Sequence, residues 1–200
     1  VYDATTNSPA GFTPTYSFTG FVSGDTNSSL TNSGSAYNDK DVSDATIVTV
    51  SGLAISSITG SNSSVAGDYS LDASSKTVSA TISAKALTMS GLSVPASKVY
   101  DATTAATVSG TPALQASEAA GVGTTSDGKP YTGDTVSITG TAVGTYNSAH
   151  VPSAATVTYS GLSLTGLQAS NYSLTIQSAA SATITPKTLT PTVTNSPVTK

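Results

Sequence analysis

The sequence predicts an all-β protein made of two tandem β-sandwich-like repeat domains, Ig-like or β-grasp-like, arranged end to end. Three observations carry this. The hexamer Val1-Tyr2-Asp3-Ala4-Thr5-Thr6 recurs unchanged as Val99-Tyr100-Asp101-Ala102-Thr103-Thr104. The chain is dense in Val, Ile, Thr and Tyr, whose branched or aromatic side chains fit a pleated surface, while Glu118 is the only glutamate and helix formers are scarce. Short apolar alternations are separated by turn signals such as Ser23-Gly24-Asp25, Asp127-Gly128-Lys129-Pro130 and Thr132-Gly133-Asp134.

The repeat extends well past the hexamer. Tyr37-Asn38 and Val42 are answered by Tyr146-Asn147 and Val151, Ser51-Gly52-Leu53 by Ser160-Gly161-Leu162, Tyr69-Ser70-Leu71 by Tyr172-Ser173-Leu174, and Ala80-Thr81-Ile82 by Ala182-Thr183-Ile184. The order is kept while the offset drifts, so one template is written twice with loops of different length between fixed elements. A unit of about 100 residues is too long for a solenoid coil, and each copy should carry its own core.

Within the matched segments, apolar residues alternate as half-buried strands require. Val78, Ala80 and Ile82 are expected on one face, with Ala180, Ala182 and Ile184 on its counterpart; Leu53 with Ile55, Leu162 with Leu164, and Tyr172, Leu174 and Ile176 give further faces. After Lys85 a new alternation begins with Leu87, Met89, Leu92 and Val94, and after Lys187 another with Leu189 and Val193. The domain boundary is therefore placed near residue 85. Residues 1–85 form a first repeat without its opening strand, and residues 86–200 a second, in which 187–200 are a surplus strand or the start of a further repeat. The chain reads as an internal excerpt of something longer. An unpaired edge and a surplus strand are complementary, so one alternative is a filament subunit polymerised by β-strand addition between identical chains.

Composition narrows the partners. Seven basic residues, all Lys, stand against 11 acidic ones, and charged residues make up only 9% of the chain. Phosphate contacts need a cationic stripe that this chain lacks, which argues against nucleic acid as partner. No apolar run approaches the roughly 20 residues that span a bilayer, so membrane insertion is not expected. There is no cysteine, hence neither a disulfide nor a thiolate metal site.

Lys98 before Val-Tyr-Asp-x-Thr-Thr, then Gly-Leu, then Asn171-Tyr172-Ser173-Leu174, then Ala182-Thr183-Ile184-Thr185-Pro186-Lys187 resembles the YDG and MBG class of repeats, found in large bacterial surface adhesins of the filamentous-haemagglutinin, two-partner-secretion type. The resemblance covers nearly the whole chain. It implies β-rich spacer or adhesive modules on the extracellular side of the bacterial cell surface, forming a stalk or fibre, with no enzymatic activity and no cofactor. Neighbouring repeats, of the same chain or of identical chains, and host or matrix glycans are the implied partners. Two departures matter. The segment around Ser43 to Ser75 is longer than its counterpart, and Ala4 and Ala102 stand where the family usually has Gly. If that turn needs a positive φ, each Ala carries strain.

Candidate chemistry is sparse. His150, the only histidine, has no nucleophile motif around it and falls in a loop, as a surface residue. Asp39, Asp41 and Asp44, with Asn38 beside them, offer hard oxygen ligands for calcium, but lack the central Gly and terminal Glu of a calcium loop, and the second copy has Ser148 and His150 there instead. A solvated acidic loop is the default. Asp3 and Asp101 precede Thr pairs and are expected to cap backbone N–H groups at a turn, while Tyr2 and Tyr100 are expected to pack on the core with the hydroxyl at its rim. Asn27, Asn62 and Asn171 fit the glycosylation acceptor pattern. Lys85 and Lys187 are candidates for isopeptide cross-links to Asn or Asp; with one Glu in the chain, this is no repeated Glu-assisted device. A carbohydrate-binding module is the remaining alternative, with Tyr16, Tyr37, Tyr131 and Tyr146 in or beside the variable loops as possible sugar platforms.

Overall fold

The computed structural model describes residues 1–194. Among them every regular element is a strand, apart from two single-turn 3-10 segments at Ala66–Asp68 and Ala169–Asn171. The all-β, sandwich-like class is therefore the one found. No helix of the described residues is long and apolar enough to cross a membrane.

The chain divides into two compact units. The first comprises Val1–Leu87, Ala116–Val136 and Gly166–Ser173, and the second Thr88–Gln115, Ser137–Thr165 and Leu174–Lys200. Compared with a boundary near residue 85, the first unit thus also takes in 116–136 and 166–173.

The first unit holds β1 (Asp25–Thr31), β2 (Gly34–Tyr37), β3 (Ile47–Ser51), β4 (Ala54–Gly60) and β5 (Ser75–Ser79). β1 and β4 form an antiparallel ribbon, and β2, β3 and β5 an antiparallel sheet in that order. Val48 and Val50 alternate inward from β3, and Leu53, Ile82 and Leu87 are buried as well. Val78, expected inside, is 51% exposed. It pairs with Val48 from the outermost strand, beyond the cover that buries its partner.

The second unit is built from β6 (Lys85–Ser93), whose first three residues belong to the first unit, β7 (Ser97–Val99), β8 (Ala105–Ala106), β9 (Ser109–Leu114), β10 (Ser137–Tyr146), β11 (Thr156–Thr165), β12 (Tyr172–Thr175), which also begins in the first unit, β13 (Ala180–Ser181) and β14 (Thr183–Thr185). β13, β11, β10 and β8 make one antiparallel sheet, β6 pairs antiparallel with β9, and β14 runs parallel to β7. One core gathers Tyr146, Ala154, Val157, Ala182 and Ile184; another gathers Met89, Leu92 and Tyr159. Ala182 and Ile184 lie inside as their alternation predicts. Residues 186–194 form no strand, and Leu189 and Val193 are exposed. The rest of the expected surplus strand, 195–200, lies outside the described residues.

The same template recurs in the hydrogen bonds of each unit. Tyr2 N donates to Ser83 O at 2.8 Å and Tyr100 N to Thr185 O at 2.9 Å; Tyr37 N donates to Thr6 O and Tyr146 N to Thr104 O, each at 2.7 Å. Asn38 Nδ2 donates to Asp44 O while its Oδ1 accepts from Thr46 N and Ile47 N. Asn147 does the same with Ser153 O, Ala155 N and Thr156 N. In each copy one Asn side chain substitutes for a strand's worth of pairing across a loop whose carbonyls and N–H groups would otherwise go unmet. Two tandem copies of one fold unit follow directly.

Candidate functional site

Each repeated hexamer forms one tight turn. Asp3 Oδ1 accepts from Thr5 N and Thr5 Oγ1, both at 2.9 Å, and Asp101 Oδ1 accepts from Thr103 N and Thr103 Oγ1 at the same distances. Between them the chain turns through a left-handed residue: Ala4 has φ 62° and Ala102 φ 67°. In the second copy Lys98 Nζ adds a bond of 2.8 Å to Asp101 Oδ1 and also reaches Thr103 O and Ala105 O, each at 2.9 Å. Lys98, with the backbone N–H and hydroxyl of Thr103, holds the Asp101 carboxyl down at about 2. Val1 and Val99 lie exposed at the head of the motif, and Thr6 and Thr104 give their carbonyls to the adjoining strand.

An L-residue in this region costs about 1–2 kcal/mol, which glycine avoids at some cost in unfolded-chain entropy. Ala4→Gly and Ala102→Gly are each expected to stabilise the protein by about 0.5–1 kcal/mol, read as a rise in denaturant midpoint. A loss of stability in both variants would contradict the left-handed assignment.

The two motif tyrosines have different surroundings. Tyr2 is fully buried, its ring edge-on to Tyr131 at 5.8 Å and to Tyr172 at 5.3 Å. Its hydroxyl donates to Asp134 Oδ2 at 2.8 Å, and Tyr172 OH donates to the same oxygen at 2.6 Å while accepting from Tyr131 N. Burial, reinforced by Asp134, raises the Tyr2 hydroxyl to about 12 and pushes Tyr172 well above the ordinary tyrosine value. Tyr100 is half-buried against the Tyr146 and Val157 core.

Beside this tyrosine group is a buried cation that composition alone does not reveal. Lys85 is 0% exposed, with Nζ 2.7 Å from Glu118 Oε1, 3.0 Å from Asp127 Oδ1 and 4.0 Å from the centre of the Tyr131 ring. Burial pulls its pKa down, but the hydrogen bonds it donates to Glu118, Asp127 and Tyr131 outweigh it, and the net shift is upward. Asp127 is held far below the usual carboxylate range, first by the Lys129 N–H and then by Lys85 and Glu118, against its own desolvation. The sequence singled out Lys85 as a cross-link candidate and Glu118 as the sole glutamate, but not their meeting.

Asp39, Asp41 and Asp44 do come together, each offering a carboxylate oxygen within 4.8 Å of the others. Asp41 Oδ1 already accepts from Lys40 Nζ at 2.9 Å and Asn171 Nδ2 at 2.7 Å, so a cation bound here would displace an ammonium. Asn171 is itself 1% exposed, with Oδ1 accepting from Val42 N. It is therefore no glycosylation acceptor, because both ends of its amide are engaged in the interior. His150 is exposed, in a loop whose carbonyl accepts from Ser153 N and Ala154 N.

Tyr131 and Tyr146 are only 2% and 3% exposed, so they serve the core and not a sugar platform. Of the tyrosines read as possible platforms, Tyr16 lies in an aromatic row whose other members the sequence reading did not name: Tyr16, Phe18, Phe21 and Tyr69 follow one another at ring separations of 6.5, 5.9 and 5.5 Å and line one cleft of the first unit with Leu53 and Ile55. Tyr69 OH is fixed by Asp25 Oδ2 at 2.7 Å.

Compared with known families, residues 83–182 match the YDG domain. No curated protein and no solved structure matches the chain.

Proposed function

The chain belongs to the YDG domain family, and from that premise we propose that it is a structural and adhesive repeat module of an extracellular bacterial surface protein, extended within a stalk or fibre. It is an all-β repeat domain of the kind found in adhesins. The observation that carries the proposal is the repetition of one hydrogen-bonded template in two units, each with its own buried residues. A chain that repeats a domain gains length, and the family match begins at residue 83, beside the repeat boundary read from the sequence near 85. The abundant Ser and Thr keep such a surface soluble with few charges, so that its contacts respond little to salt. The cleft lined by Tyr16, Phe18, Phe21 and Tyr69 gives the adhesive half of the proposal a stacking surface suited to neutral glycans.

The test is immunogold electron microscopy of the native cells with an antibody raised against this chain. The expected result is labelling along filaments that project from the surface. Labelling confined to the cell interior would end the proposal.

A further inference from the structure

We propose that Lys85 and Asp127 are joined by an intramolecular amide cross-link in the first unit, with Glu118 as the group that carries protons between them. This goes beyond the surface role above and does not depend on it.

Three observations support it. The first is contact: an amine and two carboxyl groups meet at 2.7 and 3.0 Å, with the amine wholly buried and the carboxyls 12% and 20% exposed. Held at such a distance, reacting groups gain an effective concentration of about 10⁵–10⁸ M over free partners. The Tyr131 ring, 4.0 Å from Nζ, covers the amine, and its exclusion of water favours amide formation over hydrolysis.

The second is the path for a proton. A Cβ on Gly123 would come within 2.3 Å of Glu118 Oε2 and 2.9 Å of Asp127 Oδ2, so the second oxygens of both carboxyls converge on this one glycine.

The third separates the roles. The Asp127 carboxyl is held by backbone donors, Lys129 N at 3.0 Å from Oδ1 and Thr124 N at 3.4 Å from Oδ2. Donors fixed on a carboxyl oxygen stabilise the negative charge that develops there when the carbon becomes tetrahedral. Asp127 is thus the electrophile. Glu118, whose Oε1 faces the amine and whose Oε2 lies on the Asp127 side, is the proton carrier.

The step balances without oxidant or cofactor. Starting from ammonium and the Asp127 carboxylate, one Nζ proton moves to Asp127, and the amine lone pair adds to Cγ. A second Nζ proton passes by way of Glu118 to the Asp127 oxygen that departs as water. A C–N bond forms, a C–O bond breaks, and Glu118 ends as it began. The second copy has no such group: Lys187 makes no ion pair among the described residues.

Intact-mass spectrometry of the denatured chain tests this. The expected mass is lower than that of the sequence by one water. Asp127→Ala and Glu118→Gln should each restore the full mass, and Asp127→Asn should cross-link with loss of one ammonia in place of water. Circular dichroism checks that each variant is folded. A folded wild-type chain at the full sequence mass overturns the proposal, and that reading needs no variant to fold. Retention of the water loss in Asp127→Ala would overturn the assignment of the electrophile, and its retention in folded Glu118→Gln would overturn the assignment of the carrier.

Discussion

Replacing Tyr2 with alanine is expected to destabilise the first unit by about 3–5 kcal/mol, the cost of removing a large aromatic from a filled interior. The same change at Tyr100, the identical position of the second copy, should cost only about 1–2 kcal/mol, because that ring is half-buried. The difference arises from surroundings alone, since the hexamers around the two residues are identical. Tyr2 is clasped edge-on by Tyr131 and Tyr172 and bound to Asp134, whereas Tyr100 lies on the margin of its core. Tyr2→Phe keeps the rings and removes only the hydroxyl; Asp134 Oδ2 still accepts from Tyr172, so about 1 kcal/mol is expected. Burial and Asp134 raise the folded-state pKa of Tyr2 to about 12 from an ordinary value of 10.0. Its contribution is therefore complete below pH 10 and lost as pH rises through about 12. Urea denaturation of the three variants at neutral and alkaline pH measures all of this. Equal costs at Tyr2 and Tyr100 would show that the two copies bury the motif alike.

Much of the fold is legible in the sequence because a repeat is a comparison the chain makes with itself. Tyr37-Asn38 and Tyr146-Asn147 were matched as letters, and they turn out to make the same bonds to Thr6 or Thr104 and across the following loop. Alternation placed Ala182 and Ile184 inside correctly but failed at Val78, because period two distinguishes the faces of a strand and not whether an outermost strand is covered. The loop tyrosines failed for a related reason. Tyr131 and Tyr146 lie next to turn signals, yet their rings reach back into the interior.

Lys85 was singled out in the sequence, but its burial and its partners were not. Lys85 and Glu118 are 33 residues apart, with no periodic pattern linking them, and they meet because 116–136 folds into the same unit as 1–87. The sole glutamate is the one that meets Lys85, at 2.7 Å. At Ala4 and Ala102 the reading from sequence is conditional. Whether alanine is strained depends on φ, which a side chain tolerating several regions does not announce; the values of 62° and 67° decide it.

Gly110→Ala is expected to cost more than the backbone conformation alone explains, about 2–5 kcal/mol in all. β6 and β9 slip register between the Ser90↔Ala113 and Leu92↔Gly110 pairs, and at this bulge the two strands touch main chain to main chain. A Cβ on Gly110, at φ +89°, would lie 2.0 Å from Gly91 O, and one on Gly91, at φ +100°, would lie 2.2 Å from Thr111 O. Neither obstacle is the end of a flexible side chain; each is a backbone carbonyl, so relief requires the strands to part. Gly133 separates the two causes. Its φ of +97° carries the same conformational penalty, but nothing stands within 4 Å of its Cβ position. Gly133→Ala should therefore lose only about 1–2 kcal/mol. The excess for Gly110 is the price of the close approach, and Leu92 and Met89, buried on the facing strand β6, should lose protection in hydrogen exchange with it. If Gly110→Ala proves no worse than Gly133→Ala, the carbonyl of Gly91 is free to move and the bulge does not hold these strands in register.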